Sequence, residues 1–175
     1  MRSAREPMLA QLRLAWWRDR LGGDPAQWPR GEPLLARLAG WGDHARGLTA
    51  LVDGWEALLG EAPLPADALE EFAEGRAGAA AALAALCGAD VQAARNAARR
   101  WAIADLALHL GEAAERDEAV LLLGAPERAP RLERGLRPLA VLAGLSERAV
   151  RKGSAEALDG PGALLAAIRL GLTGG

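Results

Sequence analysis

The sequence has few of the residues from which β-strands are built. Among its 175 residues there is no Tyr and one Phe, and Val, Ile and Thr number only 5, 2 and 2. β-Branched and aromatic residues are enriched in strands because they pack well on a pleated, half-buried surface. Their scarcity argues strongly against a sheet-based fold.

Cysteine and serine are also scarce, which removes several kinds of active site. Cys87 is the one cysteine, so the chain has neither a disulfide framework nor a thiolate metal cluster. Cys87 lies in a run of Ala and Leu, and we expect it to be buried there as a small apolar residue. None of the serines, Ser3, Ser146 and Ser154, lies in the G-x-S-x-G motif of a hydrolase.

Neither charge nor hydropathy predicts a nucleic-acid partner or a transmembrane segment. The 21 basic and 23 acidic residues are interspersed, and the net charge is −2, so no basic patch for nucleic acid stands out. The longest uncharged apolar run, residues 77–89, is too short and too rich in Ala to span a bilayer. The N-terminus lacks the apolar core of a signal peptide. We therefore expect a cytoplasmic protein, with peripheral contact to a membrane left open.

Alanine and leucine, in contrast, fill 72 of the 175 positions. Both rank at the top of the helix propensity scale. A chain that is 51% hydrophobic with so small a net charge is not disordered. We expect an all-α protein, an irregular helical bundle forming a single domain over residues 1–175, in which residues 154–175 form a linker and the last helix.

Proline and glycine divide the chain into about eight helices. Both residues are unfavourable inside helices and common at their ends. Pro138 falls inside an otherwise helical segment, and we expect it to kink the seventh helix. The predicted helices cover about residues 6–21, 34–45, 48–59, 66–87, 91–110, 115–123, 132–150 and 163–172.

Asp105 is the most unusual carboxylate, because it interrupts the apolar run at residues 101–108. A carboxylate at such a position has a partner or faces a cavity. His109 lies one helical turn further on, at a spacing that suits a functional or metal-binding pair. Glu112 and Glu115 lie three positions apart, a spacing that also brings two side chains to one helix face. A solvated helix face or a local ion pair is the commoner reason for such spacings.

Tryptophan is the one abundant aromatic residue, with six copies against one Phe. Trp16 and Trp17 are adjacent, so their side chains leave a helix about 100° apart. At least one of them can pack in the core, which leaves the other to line a pocket or contact a partner. Packing of both in the core or at an interface is the alternative.

Five segments resemble, in order, proteins of the squalene/phytoene synthase family, and in particular a short, divergent bacterial branch. The resemblance implies an all-α isoprenoid-synthase fold whose apolar and aromatic cavity walls keep water from a carbocation. The candidates for cavity or ligand contacts are Trp16, Trp17, Arg18, Trp55, Asp105 and His109. The similar segments are residues 5–19, 51–56, 72–78, 101–106 and 134–139, which together extend over almost the whole chain.

Active members of that family condense two prenyl diphosphates head to head, and two aspartate-rich helices hold the required Mg²⁺. The first of these helices should precede Trp16 and Trp17. We therefore expect a bundle that lacks the first helices of the family. Residues 108–116 occupy the place of the second motif, where only Glu112 and Glu115 remain as candidate metal ligands and Arg116 replaces the last aspartate.

These departures predict a non-catalytic binding or assembly module without a cofactor, similar in spirit to the mitochondrial respiratory complex I assembly factors of the same family. The partners expected are a second copy or another protein, and a prenyl diphosphate or another apolar ligand. Missing helices would leave apolar surface exposed for such contacts. One alternative is an active Mg²⁺-dependent prenyltransferase with an upstream aspartate motif, and another is a plain helical protein–protein module.

Overall fold

A computed structural model describes residues 5–125 and 131–175, and in that part helices joined by short loops make up the chain, with no strand. This confirms the predicted all-α, irregular bundle, while the isoprenoid-synthase-like arrangement stays a prediction. None of the described helices is long and apolar enough to cross a membrane. The α-helices are α1 (Arg5–Gly22), α2 (Pro33–Leu38), α3 (Thr49–Ala57), α4 (Ala66–Cys87), α5 (Val91–His109), α6 (Ala113–Leu123), α7 (Arg137–Lys152) and α8 (Pro161–Thr173).

The two longest predicted helices are confirmed to within one residue, because strong signals mark their ends. Gly88 follows α4 in the left-handed conformation, with φ of 67°, and its N–H donates to the last carbonyls of the helix. Asp90 caps α5, and its side chain accepts a hydrogen bond from the Ala93 N–H.

The predicted second helix, residues 34–45, is confirmed at its start and wrong beyond Leu38. Only α2 is α-helical there, and a 3₁₀ segment follows from Ala39 to Leu48. Gly42 interrupts that segment with φ of 54° and ψ of −138°. Glycine tolerates a positive φ because it has no Cβ. The helical path therefore breaks at Gly42, where helical periodicity alone predicted continuation.

The predicted kink at Pro138 is also wrong. Helix α7 begins at Arg137, so Pro138 lies in the first turn. The missing N–H of proline costs no helical hydrogen bond at that position. Leu132, predicted to start this helix, is instead buried before it and donates its N–H to the Gly174 carbonyl at 2.9 Å.

Cys87 is exposed, which corrects the expectation that it is buried. Ala84 is fully buried, whereas Ala85, Leu86 and Cys87 are exposed. The last turn of α4 therefore projects beyond the core that Ala84 still contacts.

Helix α4 lies at the centre of the described part, packed between α3 and α5. On one side α3 also packs against α1, and on the other α5 packs against α6 and α7. Helix α8 lies outermost, on α7. Of the 30 buried apolar residues described, 18 are alanines, so much of the core is made of small side chains that let helices approach closely.

The closest approach joins α3 to α4 through glycines. A Cβ placed on Gly75 would lie 2.3 Å from the Ala50 carbonyl oxygen and 3.1 Å from Gly54 Cα. A Cβ on Gly54 would lie 3.0 Å from Phe72 Cα. The backbones of the two helices meet here directly, and any side chain would force them apart.

A largely buried ion pair holds α5 against α7. Arg100 donates from Nε to Glu147 Oε1 at 2.7 Å and from Nη2 to Oε2 at 3.0 Å. A two-point pairing of this kind adds directional as well as electrostatic attraction. Arg100 Nη1 also donates to the Leu123 carbonyl at 3.3 Å, so one guanidinium joins α5, α7 and the end of α6.

Glu115 ties α6 to the segment that precedes α4. Its side chain is buried, and Oε1 accepts the Leu64 N–H at 2.7 Å. Glu115 lies in the first turn of α6, where the helix dipole stabilises a negative charge. The Glu115 carboxylate therefore stabilises the contact between α6 and the segment that precedes α4.

We expect Gly75→Ala to lower the free energy of unfolding by about 1–3 kcal/mol, because the added methyl group overpacks the crossing of α3 and α4. Urea denaturation followed by circular dichroism measures the loss. Gly171→Ala is the matched control, since its Cβ would lie 3.8 Å from Val141 Cγ2. Helix propensity then predicts an unchanged or higher stability. Equal losses in both variants would contradict the close crossing.

We expect Glu115→Ala to lower the free energy of unfolding by about 1–3 kcal/mol, because the Leu64 N–H loses its acceptor. Glu115→Gln, which keeps an amide oxygen, should cost less. Glu112 is exposed and makes no side-chain cap, so Glu112→Ala should change stability by less than about 0.5 kcal/mol. Thermal unfolding of the three variants measures these differences, and similar melting temperatures would argue against the buried hydrogen bond.

Candidate functional site

An apolar groove of about 230 Å³ lies where α1, α2 and α3 meet. Trp17 of α1 and Trp55 of α3 line it, together with Leu34 of α2 and further leucines of the three helices. Leu34 is 49% exposed and Trp55 48% exposed, so the groove is open to solvent. Two of the residues predicted to line a cavity thus lie in one apolar depression.

Trp16 lies beside the groove. Its ring meets that of Trp17 edge to face, with the ring centroids 4.8 Å apart and the planes at 85°. This is one of the favoured geometries for aromatic pairs. The Arg20 guanidinium lies 5.8 Å from the Trp16 ring centroid. Trp16 therefore supports Trp17 from the side.

Arg18, the next residue of α1, joins α1 to α3 through two carboxylates. Arg18 Nε and Nη2 donate to Asp53 Oδ1 at 2.9 and 2.6 Å, and Nη2 also donates to Glu56 Oε2. These hydrogen bonds, the one to Glu56 first, raise the pKa of Arg18 above its usual value. Two carboxylates face one guanidinium, so this cluster has an excess of negative charge.

Trp55 also contacts a second cluster, which is formed by α4 and α5. The Trp55 ring meets Phe72 edge to face with centroids 5.1 Å apart. The Arg76 guanidinium carbon lies 4.5 Å from the Phe72 ring centroid and 4.4 Å from that of Trp101. Both distances are within the range of cation–π attraction. Arg76 is thus enclosed by aromatic rings, and its side chain is 14% exposed.

Asp105 completes this cluster as the partner of Arg76, whose Nη1 donates to Asp105 Oδ2 at 3.0 Å. His109 contacts Asp105 locally, with Nδ1 2.8 Å from the Asp105 carbonyl oxygen and 3.3 Å from Asp105 Oδ1. His109 is largely exposed. The sequence left open whether Asp105 has a partner or faces a cavity. The structure shows that it has partners.

The two candidate metal ligands do not share an environment. Glu112 is exposed, while Glu115 is buried and bonded to the Leu64 N–H. Arg116 donates to the carbonyls of Leu110 and Gly111 at 3.0 and 2.6 Å, which caps the end of α5. Within residues 5–125 and 131–175, no three His, Cys, Asp or Glu side chains are grouped closely enough to hold a metal ion.

Sequence reasoning did not single out Arg76. It named Asp53 and Glu56 only as carboxylates one helical turn apart, without Arg18 as their partner. Arg76 lies four residues after Phe72, and Trp101 lies four residues before Asp105. Residues four apart share a helix face. Phe72 with Arg76 on α4, and Trp101 with Asp105 on α5, each join an aromatic ring to a charge on one helix face. These two pairs could have indicated that α4 and α5 pack through those faces.

Comparison of the chain with models of known protein families, with curated proteins and with solved structures finds no match. The resemblance to squalene/phytoene synthases therefore rests on the five sequence segments alone.

Proposed function

We propose that this protein is a non-catalytic, squalene/phytoene synthase-like binding module. It holds an apolar ligand of isoprenoid type in the groove between α1, α2 and α3. The observation that carries the proposal is the groove itself, with Trp17 and Trp55 in its lining and an apolar surface around them. Apolar pockets with a few polar groups near their edge are the usual form of small-molecule sites.

The size of the groove favours one short apolar chain. An apolar cavity of about 150 Å³ accommodates benzene, and sites for drug-sized ligands begin at about 300 Å³. The groove, at about 230 Å³, falls between these values. It has room for part of one prenyl chain and is too small for two chains side by side. Binding therefore fits this site better than head-to-head condensation.

The charges beside the groove favour an uncharged ligand. Arg18 is paired with Asp53 and Glu56, and Arg76 is paired with Asp105. A diphosphate would have to compete with these carboxylates for either guanidinium. It would also approach the excess negative charge of Asp53 and Glu56, which repels it. A prenyl alcohol meets no such obstacle.

Titration with farnesol tests the groove as the binding site. Leu34→Trp should weaken farnesol binding at least tenfold, because the larger ring fills the groove from its half-exposed edge. Calorimetry measures the affinity. Leu121→Trp is the control, since Leu121 on α6 is 73% exposed and lies outside the groove, and it should bind as the wild type does.

Two results would contradict the proposal. One is equal farnesol affinity in Leu34→Trp and the wild type. The other is Mg²⁺-dependent release of pyrophosphate from farnesyl diphosphate by the purified chain, which would favour the prenyltransferase instead.

The effect of Asp53 and Glu56 on the choice of ligand can be measured separately. In the wild type, farnesyl diphosphate should bind no more tightly than farnesol. The double variant Asp53→Asn, Glu56→Gln removes both carboxylates from Arg18, and one freed charge-assisted hydrogen bond predicts about a tenfold gain for the diphosphate. Farnesol affinity should not change. A wild type that prefers the diphosphate would show that the carboxylates do not exclude it.

A further inference from the structure

The two long walls of the groove are attached to the rest of the molecule in different ways. Helix α3 forms one wall with Leu51, Val52 and Trp55. The backbone of the same helix meets α4 directly, because Gly54 and Gly75 leave no room for a side chain between them. This wall is therefore fixed to the centre of the bundle.

Helix α1 forms the other wall, with Leu14, Trp17 and Leu21, and it is anchored at its C-terminal end. Of the α1 side chains whose burial the structure describes, only that of Leu21 is buried. The Trp28 indole N–H holds the same end, since it donates to the Arg20 carbonyl at 2.6 Å. The part of this wall nearer Leu14 lacks such anchors, so α1 is the wall that moves more easily.

Arg18 ties the movable wall to the fixed one. It follows Trp17 in α1, while Asp53 and Glu56 lie on either side of Trp55 in α3. Arg18 donates two hydrogen bonds to Asp53 and one to Glu56, and in the described part no other side-chain hydrogen bond or ion pair joins these two helices. Charge-assisted bonds to two carboxylates hold better than a single exposed pair.

We propose that Arg18, Asp53 and Glu56, which we call the Arg18 clamp, set the length of the apolar chain that the groove accepts. This inference rests on the proposed function, because it concerns the same groove. With the clamp closed, the groove of about 230 Å³ holds part of one prenyl chain. A longer chain is buried only if α1 tilts away from α3, and that movement breaks the clamp.

The clamp therefore weakens the binding of long chains and leaves that of short chains unchanged. A ligand shifts a conformational equilibrium only by the difference between its affinities for the two states. A long chain gains affinity from the tilted state, because burial of each further methylene group is favourable. In the wild type the broken clamp offsets part of this gain. Arg18 is thus a positioning residue, which acts on the ligand through the wall that it holds.

Titration with farnesol and with geranylgeraniol, which is one prenyl unit longer, tests the proposal through tryptophan fluorescence. The wild type should bind geranylgeraniol no more tightly than farnesol. In the double variant Asp53→Asn, Glu56→Gln, the ratio of geranylgeraniol affinity to farnesol affinity should rise about fivefold, as expected for the loss of an exposed ion-pair network.

Three further variants separate the clamp from charge and from general stability. Arg18→Met should raise the ratio as the double variant does, although it changes the net charge in the opposite direction. Arg18→Lys keeps a charged donor and should retain most of the wild-type ratio. Glu74→Gln is the matched control, since Glu74 pairs with Arg95 between α4 and α5 at 2.6 Å and with similar exposure. It should leave the ratio unchanged.

The hold of the clamp on α1 can be measured without a ligand. In the variant Gln11→Cys, nitroxide labels at that position and at the native Cys87 report the distance between α1 and the end of α4, since both positions are exposed. Electron paramagnetic resonance should show a broader distance distribution when Arg18→Met is added, and the wild-type distribution when Glu74→Gln is added.

Failure of this inference and failure of the proposed function give different results. Farnesol binding with the same affinity ratio in the wild type, Arg18→Met and the double variant overturns the length preference and leaves the proposed function in place. A distance distribution that Arg18→Met does not broaden also overturns it. A wild type that binds neither alcohol overturns the proposed function and the length preference together.

Discussion

The direct contact between the backbones of α3 and α4 is the constraint on which the rest of the site depends. Because Gly54 and Gly75 lack side chains, α3 lies close enough to α4 for Trp55 to reach the Phe72 ring. The same residue, Trp55, lines the groove toward α1. One glycine contact therefore positions both the apolar groove and the aromatic enclosure of Arg76.

Helices with strong end signals could be predicted from the sequence, and those without could not. Gly88 and Asp90 mark the junction of α4 and α5 in local chemistry that the sequence displays. Gly42 and Pro138 gave ambiguous signals, since each is compatible with a kink, a break or a helix end. Tertiary contacts decide whether a kink, a break or a helix end forms. One such contact is the hydrogen bond from the Leu132 N–H to the Gly174 carbonyl at the end of α8.

The candidate site was predicted residue by residue but not as an arrangement. Trp17, Trp55 and Asp105 stand out by type and spacing in the sequence. Their grouping does not, because the partners of Arg18 lie 35 and 38 residues away and the partner of Asp105 lies 29 residues away. Helix crossing decides which side chains meet, and periodicity reports only which face each side chain lies on.

The most direct test of the groove as an apolar binding site is to observe the six tryptophan indole N–H signals by NMR while farnesol is added, with each signal assigned from a Trp→Phe variant. Farnesol should shift the signals of Trp17 and Trp55 most, and leave Trp28, whose indole N–H donates to the Arg20 carbonyl, nearly unchanged. Saturation without a shift of Trp17 or Trp55 would contradict the groove as the binding site.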